Sequence, residues 1–138
     1  MDNGMRIAAS GLQAASVWLS ATASNIANMR TGGAIPDTPP SQPVQPSQSS
    51  VYQPLTVAQS AVPGGGVTAS LQASLPSYRL AYDPGAPYAN AQGMVAMPEV
   101  DLAAQSIQLL QQMHNFRANL AVIKASARMA DTVLDILA

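Results

Sequence analysis

The stretch "ASGLQAASVWLSATASNIANMRT", Ala9 to Thr31, decides how the rest of the chain is read. It has the apolar spacing of a helix and no charge: between Ser10 and Met29 there is no Lys, Arg, Asp or Glu. Met5, Ala8, Leu12, Ala15, Leu19, Thr22, Ile26 and Met29 recur at alternating steps of three and four, a heptad seam with one polar misfit, Thr22. The spacing predicts a helix from Met5 to Met29, capped by Asp2 or Asn3 and stopped by Gly32 and Gly33. Trp18, one position before Leu19, widens the apolar face, and its indole N–H needs a partner if buried.

The other end of the chain repeats the pattern at greater length. Leu102, Ser106, Leu109, Met113, Phe116, Leu120, Ile123, Ala127, Ala130, Leu134 and Leu137 alternate by four and three without a slip. Pro98 and Glu99 suit a first helical turn, and Asp101 suits its positive end. At 1.5 Å per residue this helix extends ~55 Å and the N-terminal one ~37 Å. Each alone exposes an apolar stripe, so pairing the two seams is the simplest remedy.

Between the helices the composition changes. All 11 prolines lie between Pro36 and Pro98, so both ends are free of the strongest helix breaker. Ile35 to Ser50, "IPDTPPSQPVQPSQSS", has too little apolar surface to order alone and reads as loop or extended linker. Val51, Leu55 and Val57 lie among extended residues, and Pro63 with Gly64-Gly65-Gly66 makes a turn. Val67, Ala69, Leu71 and Ala73 then alternate with Thr68, Ser70 and Gln72, the period of a strand. This predicts a hairpin, which alone is marginal in water and must lean on a helix or a neighbouring molecule. Leu80 to Gly93 reads as a strand end followed by turns at Asp83-Pro84-Gly85 and Asn90 to Gly93.

Composition bounds the function. The 138 residues make one ordinary domain with a formal net charge of −1, which points to neither nucleic acid nor an anionic membrane. Charged residues are 9% of the chain, against a usual share of roughly 25%. Such a chain has its exterior covered by something else, or surfaced by Ser, Gln, Asn and Ala. Hydrophobic residues at 48% exclude disorder throughout. Without cysteine there is no disulfide or thiolate chemistry. No cleaved signal peptide is read: Asp2 precedes Arg6, and Ser10, Gln13 and Ser16 break the following stretch. No window approaches the ~20 apolar residues of a membrane span.

No residues converge on a reaction. His114, the single histidine, lies beside Met113 without metal-ligand partners at a recognisable spacing. Gly64 to Gly66 is followed by Val67 and Thr68, so no lysine reaches a phosphate. Asp83, Glu99 and Asp101 have no spacing that pairs them for acid–base work, and no serine has a histidine and an acid in a triad arrangement. The cations Arg6, Arg30, Arg79, Arg117, Lys124 and Arg128 are dispersed, unlike a nucleic-acid stripe. No catalytic, cofactor-binding or metal-binding residue is expected.

"ASGLQA", Ala9 to Ala14, and "SNIANMRT", Ser24 to Thr31, resemble the N-terminal motif of the flagellar axial proteins, the rod, hook and hook-associated subunits. That motif opens on small-Ser-Gly-Leu and ends on Asn-Ile/Leu-Ala-Asn. "LAYDPGAPYANAQGMVAMPEVDL", Leu80 to Leu102, is similar to the Tyr-Asp-Pro-Gly…Gly-Tyr-Val…Pro-Asn-Val-Asp stretch of the FlgC family of proximal rod subunits. "FRANLAVIKASARMADTVLDIL", Phe116 to Leu137, looks like that family's terminus, and "VYQPLTV", Val51 to Val57, also fits. Departures are Glu99 before Val-Asp, Met94 after Gly93, "AAQS" at Ala103 to Ser106, and His114-Asn115. The resemblance implies a rod subunit of the basal body, exported by the flagellar type III apparatus without a cleaved signal. It implies self-association in a helical assembly, with other rod proteins and the base (MS) ring as neighbours.

The expected fold is mainly α. Residues 1–30 and 100–138 form an antiparallel coiled-coil core, and residues 31–99 an extended loop and β-hairpin insertion. Leu12, Leu19, Ile26, Phe116, Leu120, Ile123 and Leu134 are expected to fill the seam. Asn25, Asn28 and Asn119 match the family motif and are expected to hydrogen-bond helix surfaces to one another. The expected function is structural: torque transmission through packed interfaces. The rival readings are another axial rod subunit and a soluble helical adaptor that binds a partner through its Pro-rich tract.

Overall fold

The computed structural model describes residues 2–44 and 51–137. Helix α1 (Asp2–Asn28) is followed by strands β1 (Leu55–Ala61), β2 (Val67–Ala73), β3 (Tyr78–Tyr82) and β4 (Met94–Pro98), then by helix α2 (Leu102–Leu137). The strands form two separate antiparallel pairs, β1–β2 and β3–β4. Two long helices with a β region between them match the expected class.

Helix α1 packs along α2 and, on another side, against both strands of the first hairpin. Its two buried faces are made of small side chains: Ala8, Ala14, Ala15 and Ala21 are buried, as are Thr22 and Asn25. Leu12, Leu19 and Ile26 are only half-buried. Small residues let neighbouring backbones approach, so the volume of the expected leucine seam is not what fills this interface. Thr22, the polar misfit of the apolar pattern, is 1% exposed.

Helix α2 begins one residue after Asp101, whose Oδ1 accepts the N–H groups of Ala103 (2.9 Å) and Ala104 (3.3 Å). That is the N-cap geometry, in which a side-chain oxygen satisfies otherwise orphaned donors of the first turn. The expected first turn at Pro98 and Glu99 is corrected: Pro98 ends β4.

The helices run in opposite directions, since Asn25 meets Gln105 while Gly11 meets Asn119. The residues of α2 not open to solvent are Gln105, Gln108, Leu109, Gln112, Met113, Phe116, Asn119, Leu120, Ile123, Ser126 and Ala130. This band shares Leu109, Met113, Phe116, Leu120, Ile123 and Ala130 with the expected seam. It replaces the exposed Ser106 and Ala127 by Gln105 and Ser126, the residues just before each. Ser126 is buried and Ala127 exposed, while Met113 and Leu120 are half-buried. On this alignment the start of α1 stands near Arg128, so α2 from Met129 onward has no α1 beside it. Leu134, expected in the seam, lies there and is 65% exposed. The side chain of Leu137 falls outside the described residues.

The first hairpin pairs Leu55 with Ala73 through to Ala61 with Val67. Its turn holds Gly64, Gly65 and Gly66 at φ of +88°, +95° and +100°, a region L side chains rarely adopt. The turn sits on the start of α1: Arg6 Nη2 donates to the Gly64 carbonyl (3.2 Å), and Ser10 Oγ accepts the Val67 N–H (3.1 Å). A Cβ on Gly65 would lie 2.9 Å from Ile7 Cδ1. The support a lone hairpin requires thus comes from α1.

A second hairpin stands where only a strand end and turns were expected. β3 pairs with β4 from Tyr78–Pro98 to Tyr82–Met94. Asn90 Oδ1 accepts the N–H groups of Gln92 (3.0 Å) and Met94 (2.9 Å), closing the turn before β4. Gly33, just after α1, exchanges two backbone hydrogen bonds of 2.9 Å with Ala96.

As far as Val44 the Pro-rich tract is a loop, as expected, but one packed onto the rest of the chain; Gln45 to Ser50 lie outside the described residues. Tyr78 donates its O–H to the Thr38 carbonyl (2.8 Å), and the Ser77 N–H donates to that of Pro40 (2.9 Å). Val44, Val51, Tyr78 and Ala96 form a small buried cluster, with Ile35 packed against it. Proline lacks the N–H but keeps a full carbonyl acceptor, so the tract is held by donors from Ser77 and Tyr78, at the entry to β3.

Candidate functional site

Asn25 lies near the end of α1 where both helices and the first hairpin meet, and it is 2% exposed. Its Oδ1 accepts from the Tyr52 hydroxyl (3.0 Å) and the Leu55 N–H (2.8 Å). Its Nδ2 donates to the Leu55 carbonyl (2.8 Å) and to Gln105 Oε1 (3.1 Å). An asparagine amide has two donors and two acceptor sites, and all four are used here. One side chain thereby holds α1, α2, the entry to β1 and the preceding loop. Burial pushes the Tyr52 hydroxyl above its ordinary value, which keeps it a neutral donor.

The other two motif asparagines bond locally. Asn28 Nδ2 donates to the Ser24 carbonyl (2.9 Å), and the Asn28 carbonyl accepts the Thr31 N–H (2.9 Å), closing α1. Asn119 Nδ2 donates to the Asn115 carbonyl within α2 (3.0 Å). The expectation that these asparagines link helix surfaces to one another is corrected for Asn28 and Asn119: each bonds back onto its own chain neighbourhood. Asn119 nonetheless sits against α1, its amide filling the space over Gly11.

Gly11, Gln105 and Ser126 fall outside the apolar pattern and were not expected here, whereas Thr22 was expected on the seam as its polar misfit. Gly11 had a visible signal, a glycine inside an otherwise unbroken helical pattern, which implies close approach of another group.

Beside this contact a groove of about 500 Å³ opens between α1, α2 and the first hairpin, lined among others by Ile7, Trp18, Gln59, Gln112, Asn115 and Asn119. Among the described residues no ionisable side chain lines it, and its polar side chains are amides, the Ser10 hydroxyl and the Trp18 indole. Trp18 is half-buried there, and His114 is exposed on α2. Among the described residues no group of three His, Cys, Asp or Glu side chains is placed to hold a metal ion. Among the described residues no helix is long and apolar enough to cross a membrane.

What the molecule presents instead is apolar surface on α2. Ile107, Leu110, Val122, Met129, Val133 and Ile136 are all exposed. On a helix of 36 residues this is the pattern of an element made to be covered further.

Residues 5–34 match the model of the family described as flagella basal body rod protein. The chain is similar to the flagellar basal-body rod protein FlgC of Escherichia coli O157:H7 and to that of Salmonella typhimurium LT2. Each is 34% identical over 89% of this chain and 87% of the relative. The FlgC of Bacillus subtilis is 28% identical over 97% of this chain and 96% of its own. The matched family segment contains Gly11 and Asn25, the residues that position α1 against its neighbours, and the chain belongs to the FlgC family of flagellar basal-body rod proteins.

Proposed function

We propose that the chain is a structural subunit of the proximal rod of the bacterial flagellar basal body, transmitting torque through packed interfaces. The observation that carries this reading is the likeness to rod proteins over nearly the whole length of both chains, helices included. The exposed apolar residues of α2 support it, since they suit a subunit enclosed by protein on several sides. Residues 1–30 and 100–138 act as a helical core, packed as a coiled coil along the line from Gln105 to Ala130. Residues 31–99 act as the insertion that reaches adjacent subunits. The neighbours in this reading are other rod proteins, further copies of the chain and the base ring. The route outward is the flagellar type III export apparatus.

The test is a strain lacking this chain, with its basal bodies imaged by electron cryomicroscopy. The expected result is a base ring without an extended rod, restored by the gene in trans. A complete rod and normal swimming in the deletion strain would rule the reading out and favour an adaptor.

A further inference from the structure

All five charged side chains of α2, Arg117, Lys124, Arg128, Asp131 and Asp135, fall on one line down the helix. At 3.6 residues per turn they span about 60° of its circumference. All five are exposed, and among the described residues none is in an ion pair. The signs are segregated, bases toward the start of the line and acids toward its end. Lys124 and Arg128 are like charges four residues apart, as are Asp131 and Asp135, a spacing at which like charges repel along a helix. Beside the line, away from α1, runs an uncharged strip that includes Ala125, Met129, Thr132 and Ile136. Met129 and Ile136 are 54% and 78% exposed.

We infer that this end of α2 pairs with the same segment of a second copy, antiparallel, about a twofold axis between Met129 and Ala130. Lys124 of one copy then stands opposite Asp135 of the other, and Arg128 opposite Asp131; the twofold makes each pairing twice. Three features select this occupant. The charges lie on a single flank, and in an antiparallel helix pair each flank meets the same flank of its partner. In a parallel pair they would face the uncharged flank instead, leaving the acids and bases unmatched. The order of signs is also self-complementary on reversal, base against acid at every pairing. Finally, the paired segment includes the stretch beyond Met129 that α1 leaves uncovered.

A twofold contact uses the same patch on both partners and closes on itself, so it cannot propagate a filament. For a chain that assembles helically, as proposed above, the pair is then a state of the free subunit. It covers the apolar end of α2 and must open before that end meets any other neighbour. The pairing does not rest on the rod reading, and its test is made in solution on the full chain.

Sedimentation velocity across a concentration series should show a monomer–dimer equilibrium, weakened roughly tenfold or more between low and ~1 M salt. The variant Lys124→Glu/Arg128→Glu and the variant Asp131→Lys/Asp135→Lys should each lose the dimer while keeping wild-type helicity. Mixed in equal amounts, they should form a heterodimer, because every pairing becomes opposite in sign again. The chain has no cysteine, so Met129→Cys provides a single probe beside the axis, expected to oxidise to a covalent dimer. A chain that stays monomeric at all concentrations overturns the inference. So does a dimer that both reversals leave intact, or reversed variants that fail to recover on mixing.

Discussion

Gly11 of α1 faces Asn119 of α2 so closely that a Cβ on Gly11 would lie 2.8 Å from both the Nδ2 and the Oδ1 of that amide. Two opposing effects therefore act on a substitution. Alanine in a helix interior gains about 0.5–1 kcal/mol over glycine. Forcing an extra carbon into a filled contact costs about 1–3 kcal/mol. Gly11→Ala should accordingly destabilise the chain by about 1 kcal/mol. In an Asn119→Ala background the obstacle is gone, and the same change should stabilise by up to about 1 kcal/mol. Denaturant unfolding of the four proteins measures the coupling, expected at about 1–2 kcal/mol. Simple additivity would mean that the two residues do not touch.

Asn25 carries four hydrogen bonds, so its replacement strands several partners at once. Asn25→Leu leaves the Leu55 N–H and carbonyl and the Tyr52 hydroxyl unpaired. At about 1–3 kcal/mol for each orphaned buried group, the loss should reach roughly 3–5 kcal/mol. Asn25→Asp is more selective. An ionised carboxylate still accepts from Tyr52 and Leu55 but cannot donate to the Leu55 carbonyl, whereas the neutral acid can. The Asp variant should therefore be closer to wild type near pH 4 than near pH 7. Equal losses at both pH values would show that the donor side of the amide carries nothing.

Tyr52 gives a second pH signature. Its hydroxyl is raised above the ordinary value of about 10 by burial. A raised folded-state value means that the neutral form is favoured in the native chain. That contribution is fully present below about pH 10 and is lost as pH climbs from there through the folded value. Tyr52→Phe should remove this alkaline loss and cost about 1 kcal/mol at neutral pH, the worth of one hydrogen bond. Stability profiles of the two proteins between neutral and alkaline pH check both parts. A Phe variant with an unchanged alkaline slope would assign that slope to another group.

The helices were legible because their signals are local: apolar residues at steps of three and four, proline confined to the middle, and Asp101 ready to cap. The first hairpin was legible through its glycine turn and its alternating strand. What could not be seen is set by partners distant in sequence. Gln105, Asn119 and Ser126 turn inward because α1 offers them Asn25, Gly11 and small alanines, and no hydropathy pattern records that. Val44 reads as one apolar residue among prolines and serines, and it is buried only because Val51, Tyr78 and Ala96 gather around it. Strand β4 was hidden because Pro98, which ends it, is also a residue that starts helices.

Adjacent residues of α2 test its register. Ser126 is 7% exposed, on the face turned to α1, while Ala127 is exposed to solvent. An apolar seam through Ala127 would make position 127 sensitive and position 126 tolerant; the structure requires the reverse. Ala127→Lys should change stability by no more than about 0.5 kcal/mol, as at an ordinary surface position. Ser126→Lys must either bury a charge or pry the helices apart, and should cost roughly 3 kcal/mol or more. Ser126→Ala keeps the small volume and removes only a hydroxyl, so it should cost no more than about 1 kcal/mol. Unfolding midpoints of the three variants decide the matter. If Ala127→Lys proves the damaging change, α2 is rotated from the arrangement described, and the contacts of Gln105 with Asn25 and of Asn119 with Gly11 fall with it.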